Sequence, residues 1–185
     1  MKKGIGVGIE DFREVIREDC YYFDKTNYIE ELIKDKTKIK LFTRPRRFGK
    51  TLNMSTLKYF FDVKNAEENR KLFKDLYIEK SEYFKEQGQY PVIFITLKDL
   101  KKNTWKEMNF EIKELLRNLY DEFNFIRDTL SISDLREFDK IWLKEEDANY
   151  DSSLLNLTKY LYNYYKKEVF LLIDEYDSPL ITANR

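Results

Sequence analysis

Lys38–Thr51, KIKLFTRPRRFGKT, decides the reading of this chain. It opens on an apolar run, Ile39, Leu41 and Phe42, which predicts a short buried strand. A turn follows, Arg44-Pro45-Arg46-Arg47-Phe48-Gly49, and Lys50-Thr51 then open a predicted helix, KTLNMSTLKYFFD. Strand, turn, Gly-Lys-Thr and helix is the order of a P-loop. In that setting Gly49 lets the backbone approach an anion, and the helix start supplies free N–H donors and a positive dipole end. Residues 44–51, from Arg44 to Thr51, are then the phosphate-binding loop. Lys50 meets the β- and γ-phosphates of ATP, and the Thr51 hydroxyl ligates Mg²⁺.

One position departs from the pattern G-x-x-x-x-G-K-[ST]: Arg44 stands where the first glycine belongs. Pro45 pushes the residue before it toward extended backbone. The expectation is therefore an extended Arg44, with any positive φ falling at Gly49.

A second stretch answers the first. Glu168–Asp177, EVFLLIDEYD, carries five consecutive apolar residues, Val169 to Ile173, the pattern of a strand buried on both faces. It ends in Asp174 and Glu175. Ligands of open α/β sheets bind beyond the carboxyl ends of the strands, so acids placed there suit function. Asp174 reads as the acid that holds Mg²⁺ through a water, and Glu175 as the base that positions an attacking water. Apart from Lys50-Thr51, the same stretch reads equally well as a core strand ending in a solvated turn.

The phrase Arg44-Pro45-Arg46-Arg47-Phe48-Gly49-Lys50-Thr51-Leu52, taken with Asp174-Glu175-Tyr176-Asp177-Ser178-Pro179-Leu180, closely resembles the bacterial AAA-ATPase-like proteins. Gly8-Ile9-Glu10-Asp11-Phe12 and Tyr22-Phe23-Asp24-Lys25-Thr26 look like the same family, so the resemblance spans roughly residues 8–180. It implies an ATPase part that a PD-(D/E)XK nuclease-like domain often follows. In that family an arginine also replaces the first P-loop glycine. The resemblance further implies strands after the acid that bear a sensor residue and often an arginine finger. The chain stops ten residues after Glu175, so a truncated product without the nuclease domain is expected.

At 185 residues, with 42% apolar and 37% charged residues, the chain has the means for a real core. No stretch approaches a transmembrane helix, and MKKGIGVGIEDF lacks the apolar centre of a signal peptide, so a cytoplasmic protein is expected. The 34 basic and 34 acidic residues cancel, which argues against a whole-domain field for nucleic acid. A local basic run does exist: Lys34, Lys36, Lys38, Lys40, Arg44, Arg46, Arg47 and Lys50 stand against Asp35 alone. It reads first as a phosphate-facing site and second as a weak nucleic-acid surface. The single Cys20 excludes an internal disulfide, and the absence of histidine excludes His-based catalysis and His-type zinc sites.

The glycines of Gly4–Gly8 mimic a dinucleotide loop, but no strand precedes them. Helices are predicted at 10–18, 25–34 (capped by Asp24), 66–76, 80–86, 104–126, 133–145 and 152–167. Thr104 with Glu107 forms a capping box, and Phe110, Leu115, Leu119 and Phe123 are the predicted core face of that long helix. Tyr160, Tyr162, Tyr164 and Tyr165 read as packing rather than base stacking, because Leu157 and Leu161 interleave with them. Pro91 starts a further buried strand through Leu97, at the one position where no ladder donor is lost. Ser178-Pro179 reads as the start of a last helix.

Three apolar strands, near 38–43, 91–97 and 168–173, alternate with helices. That predicts an α/β protein with a P-loop NTPase-like parallel sheet flanked by helices, incomplete at the C-terminus. The expected organisation is a lead-in over 1–37 and a P-loop core over 38–185. Three functions stay open: a Mg²⁺-dependent ATPase, a nucleotide-binding module that senses or assembles without turnover, and a nucleic-acid-associated protein using the Lys34–Lys50 basic run. Partners beyond ATP would be further copies of the chain or the absent nuclease-like domain.

Overall fold

The computed structural model describes residues 4–43 and 48–176. The chain divides into two compact units, the first through Val92 and the second from Ile93.

The first unit is helical. Its helices are α1 (Phe12–Arg17), α2 (Asn27–Lys34), α3 (Lys50–Phe61) and α4 (Ala66–Lys71). Asp11 caps α1 by accepting from the Glu14 amide at 3.1 Å. Its other carboxylate oxygen accepts from the Tyr59 hydroxyl at 2.8 Å, which ties the start of α1 to α3. The core between these helices is aromatic. Phe12 packs on Phe73 with ring centroids 5.2 Å apart, and Phe60 meets Phe61 and Phe73 edge-on. Residues 80–86, predicted as one helix, form two 3₁₀ turns, Tyr77–Lys80 and Glu82–Glu86. Ser81 interrupts them in an extended conformation, its side chain capping the second turn. The predicted cap of α2 also shifts. Thr26 is the cap residue, and Asp24 braces it by accepting from its amide and its hydroxyl.

The first predicted strand does not form. Residues 38–43 lie outside regular structure, with Ile39 86% and Leu41 66% exposed. A strand needs a ladder partner, whereas here local side chains satisfy the backbone just ahead of it. Asp35 accepts from the Thr37 amide and hydroxyl, and Lys40 donates to the Asp35 carbonyl. Gly4–Gly8 is no dinucleotide loop either: Gly4 bridges to Cys20, and its carbonyl accepts from the Tyr21 amide at 2.8 Å. Cys20 is buried and free.

The second unit pairs β1 (Val92–Thr96) with β2 (Phe170–Asp174) in a two-stranded parallel sheet flanked by helices. The crossover carries α5 (Trp105–Glu122), α6 (Ile132–Trp142) and α7 (Ser153–Tyr165). Thr104 caps α5 as expected, accepting from the Glu107 amide while its hydroxyl donates to the Glu107 carboxylate. Ile93 and Ile95 of β1 pack on Leu116, Leu119, Tyr120, Phe138, Leu157 and Leu161. The predicted core face of α5 holds at Leu115, Leu119 and Phe123, while Phe110 is 57% exposed and Leu116 joins the core. Along β2 burial alternates, with Leu172 and Asp174 inside and Leu171 and Ile173 about 40% exposed. The expectation of burial on both faces is therefore corrected: the helices cover one face of this short sheet. Among the described residues no helix is long and apolar enough to cross a membrane.

Candidate functional site

In the first unit the site begins at a change of backbone hand. Gly49 caps α3 with φ +70°, the left-handed region that glycine adopts without strain. The positive φ expected at Gly49 is observed. Lys50 and Thr51 are the first two residues of α3, where helix amides have no intrahelical acceptor and the dipole end is positive. The helix then locks: the Asn53 amide donates to the Gly49 carbonyl at 2.9 Å. Phe48 is exposed ahead of the cap. Arg44, Pro45, Arg46 and Arg47 lie outside the described residues, as do the extended backbone expected at Arg44 and the helix expected at Ser178-Pro179.

Behind this turn sit two tyrosines. Tyr28, on α2, donates its hydroxyl to the Asn53 carbonyl at 2.6 Å. Burial raises its phenol pKa well above the ordinary value. Tyr22 meets Phe12 edge-on at 5.2 Å, and burial pushes its phenol up to about 12. Its hydroxyl has no hydrogen-bond partner among the described residues. The bond of Tyr28 to α3 was not foreseen from the sequence. The signal was its place as the second residue of α2, directly after the braced Asp24–Thr26 turn.

In the second unit the predicted acids stand where the sequence put them. Asp174 is the last residue of β2, 5% exposed, and its carbonyl accepts from the Leu97 amide at 3.0 Å. Glu175 follows at φ +53°, a left-handed conformation uncommon outside glycine that costs on the order of 1–3 kcal/mol and is often found at functional sites. Lys101, which the sequence did not single out, places its ammonium 3.6 Å from the Glu175 carboxylate.

A cavity of about 340 Å³ opens beside β1 and α5, lined among others by Thr96, Asp99, Glu111, Leu115 and Asn118. Glu111 pairs with Lys102 at 2.9 Å, and Glu114, also on this wall, pairs with Lys144. A wall rich in carboxylates repels phosphate, so this cavity does not suit the nucleotide.

Thr51, in the first unit, offers one hydroxyl, and Asp174, in the second, one carboxylate. Both are hard oxygens, and Mg²⁺ is commonly held by one or two such groups beside substrate phosphates and water. Among the described residues no cluster of three or more His, Cys, Asp or Glu side chains is placed to hold a metal. Each of these donors is of a kind that Mg²⁺ takes.

No solved structure matches the chain. An uncharacterized protein encoded in the vnfD 5′ region of Azotobacter chroococcum mcd 1 is 26% identical over 181 residues. That match covers 97% of this chain and 30% of the relative, so the chain spans under a third of the relative's length. The profile of the family described as Predicted AAA-ATPase matches residues 6–185, and the chain belongs to that family.

Proposed function

We propose that this chain is the ATP-binding part of a Mg²⁺-dependent ATPase with a P-loop NTPase-like core. The observation that carries the reading is the left-handed Gly49 cap with Lys50 and Thr51 on the first turn of α3. In this reading the free amides of that turn and the Lys50 ammonium bind the β- and γ-phosphates, as fixed positive groups facing charge that grows during transfer. Thr51 and Asp174 would hold Mg²⁺, which when bound neutralises phosphate charge. Glu175 accepts a hydrogen bond from a water and orients it for attack on the γ-phosphorus. Calorimetry with ATP tests the binding step. Wild-type protein should bind and Lys50→Ala should not; equal affinity in the two would remove the P-loop assignment.

A second reading has its own observation. The Lys101–Glu175 ion pair occupies the carboxylate proposed as base, which favours a module that binds nucleotide and does not turn it over. Phosphate release separates the two. Steady release that Glu175→Gln abolishes supports the ATPase, and binding without release supports the module.

A further inference from the structure

α2 is anchored before it reaches α3. The Asp24 carboxylate accepts from the Thr26 amide at 2.8 Å, from the Thr26 hydroxyl at 2.7 Å and from the Tyr77 amide at 2.7 Å. The Thr26 hydroxyl oxygen, fully buried, accepts in turn from the Ile78 amide at 3.1 Å. Ile29 is also fully buried on this helix. The start of α2 is thus pinned to the Tyr77–Lys80 turn by side-chain bonds across about fifty residues of chain. Tyr28 projects from this fixed base. Its phenol is a rigid arm with two torsions, and it ends on the Asn53 carbonyl.

Asn53 is the residue whose amide closes the first turn of α3 on the Gly49 carbonyl. A helix start is the part of a helix most prone to fray, because its leading amides lack intrahelical partners. Here a left-handed cap precedes it, and among the described residues no atom lies within 4 Å of where a Cβ of residue 49 would stand. Two hydrogen bonds, from Tyr28 to the Asn53 carbonyl and from the Asn53 amide to the Gly49 carbonyl, link the cap to α2.

We propose that Tyr28 is a positioning residue for the phosphate loop, its hydroxyl fixing through Asn53 the left-handed Gly49 cap that presents Lys50 and Thr51. The inference rests on the nucleotide reading above and adds a residue to it. Tyr28 touches no phosphate; it sets where the amides and the ammonium stand before a nucleotide arrives. Ordering that is completed in advance is not subtracted from binding. Loss of the hydroxyl should thus appear as weaker binding.

The neighbouring Tyr22 supplies the control. Its hydroxyl is buried, lies close to Thr56 of α3 and has no hydrogen-bond partner among the described residues. Tyr28→Phe and Tyr22→Phe remove the same atom from neighbouring half-buried rings, and only the first removes the bond to the Asn53 carbonyl.

The experiment measures amide hydrogen exchange along α3, together with ATP affinity by calorimetry, in wild type and both variants. In Tyr28→Phe we expect exchange at the Asn53 amide to rise, and ATP affinity to fall, by about three- to tenfold, the equivalent of one neutral hydrogen bond. Exchange at the Phe60 and Phe61 amides should stay as in wild type, and Tyr22→Phe should change neither readout. Unchanged exchange at Asn53, or an equal rise along all of α3, overturns the proposal. A wild-type protein that binds no ATP overturns the nucleotide reading and this proposal with it. Binding with undiminished affinity in Tyr28→Phe overturns the tyrosine's role alone.

Discussion

The Lys101 ammonium lies 3.6 Å from the Glu175 carboxylate, just past the end of β2 and beside a backbone held at positive φ. The contact joins the segment after β1 to the segment after β2, at the carboxyl ends of both strands. It competes with the water that Glu175 would orient, because the ammonium and the water seek the same carboxylate. The lysine is 52% exposed and the glutamate 31%, so solvent screens the pair. Such exposed pairs contribute up to about 1 kcal/mol.

Replacing Lys101 by Met should therefore release Glu175 at little cost to the fold. If the chain hydrolyses ATP, phosphate release should rise by at most about fivefold, the ceiling set by an ion pair of that size. Added salt should raise the wild-type rate toward that of the variant and leave the variant unmoved. A fall in phosphate release in Lys101→Met would instead make the lysine part of the reacting machinery.

The buried tyrosines predict alkaline unfolding. Burial pushes the phenols of Tyr22, Tyr59 and Tyr160 up to about 12, and that of Tyr120 further still. An unfolded tyrosine loses its proton near pH ~10. Between that pH and the folded values the unfolded chain holds fewer protons than the native one, so stability falls as pH rises. Below pH ~10 both states keep these protons and the groups impose no slope. Melting temperatures followed from neutral pH upward, with tyrosinate absorbance recorded alongside, should stay flat and then drop. Tyr120→Phe should shallow the drop, while losing the bond to the Ser153 carbonyl at 2.8 Å costs about 1 kcal/mol at neutral pH.

Within the sequence, the two motifs and most helices were legible because their signals are local. Gly49 announces a left-handed cap, Thr104 with Glu107 announces a helix start, and the run to Ile173 announces a strand. What stayed hidden depends on partners distant in the chain. Ile39, Leu41 and Phe42 carry strand composition, yet they are exposed and unpaired as a strand. Leu171 and Ile173 carry the composition of a two-sided core and are covered on one side. The contacts of Tyr28 with Asn53 and of Lys101 with Glu175 join residues 25 and 74 positions apart, and no spacing rule connects them.

Phe110, the one exposed residue of the predicted α5 face, offers a direct check. Phe110 reads as core from its neighbours but is 57% exposed, with the Lys144 ammonium 5.7 Å from its ring centre. Leu116 is buried against the sheet and the other helices of its unit. Phe110→Ser should change stability by less than about 0.5 kcal/mol, as surface substitutions do. Leu116→Ala should cost about 2–5 kcal/mol through lost burial and the cavity left behind. Urea unfolding of the two variants orders them; a larger loss at Phe110 would return that residue to the core.

Two glycines share one backbone conformation and differ in everything around it, which makes them a matched pair. Gly49 has φ +70°, and among the described residues no atom lies within 4 Å of where its Cβ would stand, so Gly49→Ala meets the left-handed penalty, about 1–2 kcal/mol. Gly88 has φ +69°, but its Cβ would lie 2.5 Å from the Ala66 Cβ and 3.3 Å from the Ala66 Cα. The Gly88 amide also donates to the Phe60 carbonyl at 2.8 Å, so the segment cannot move away without releasing the end of α3. Gly88→Ala should therefore destabilise the fold more than Gly49→Ala in urea unfolding. Ligand binding should rank them the other way. Relief of strain at Gly49 shifts the cap that carries Lys50, and ATP affinity falls, whereas folded Gly88→Ala protein binds like wild type. Equal stability losses in the two variants would mean that α4 yields to the added methyl and that Ala66 does not fix this turn.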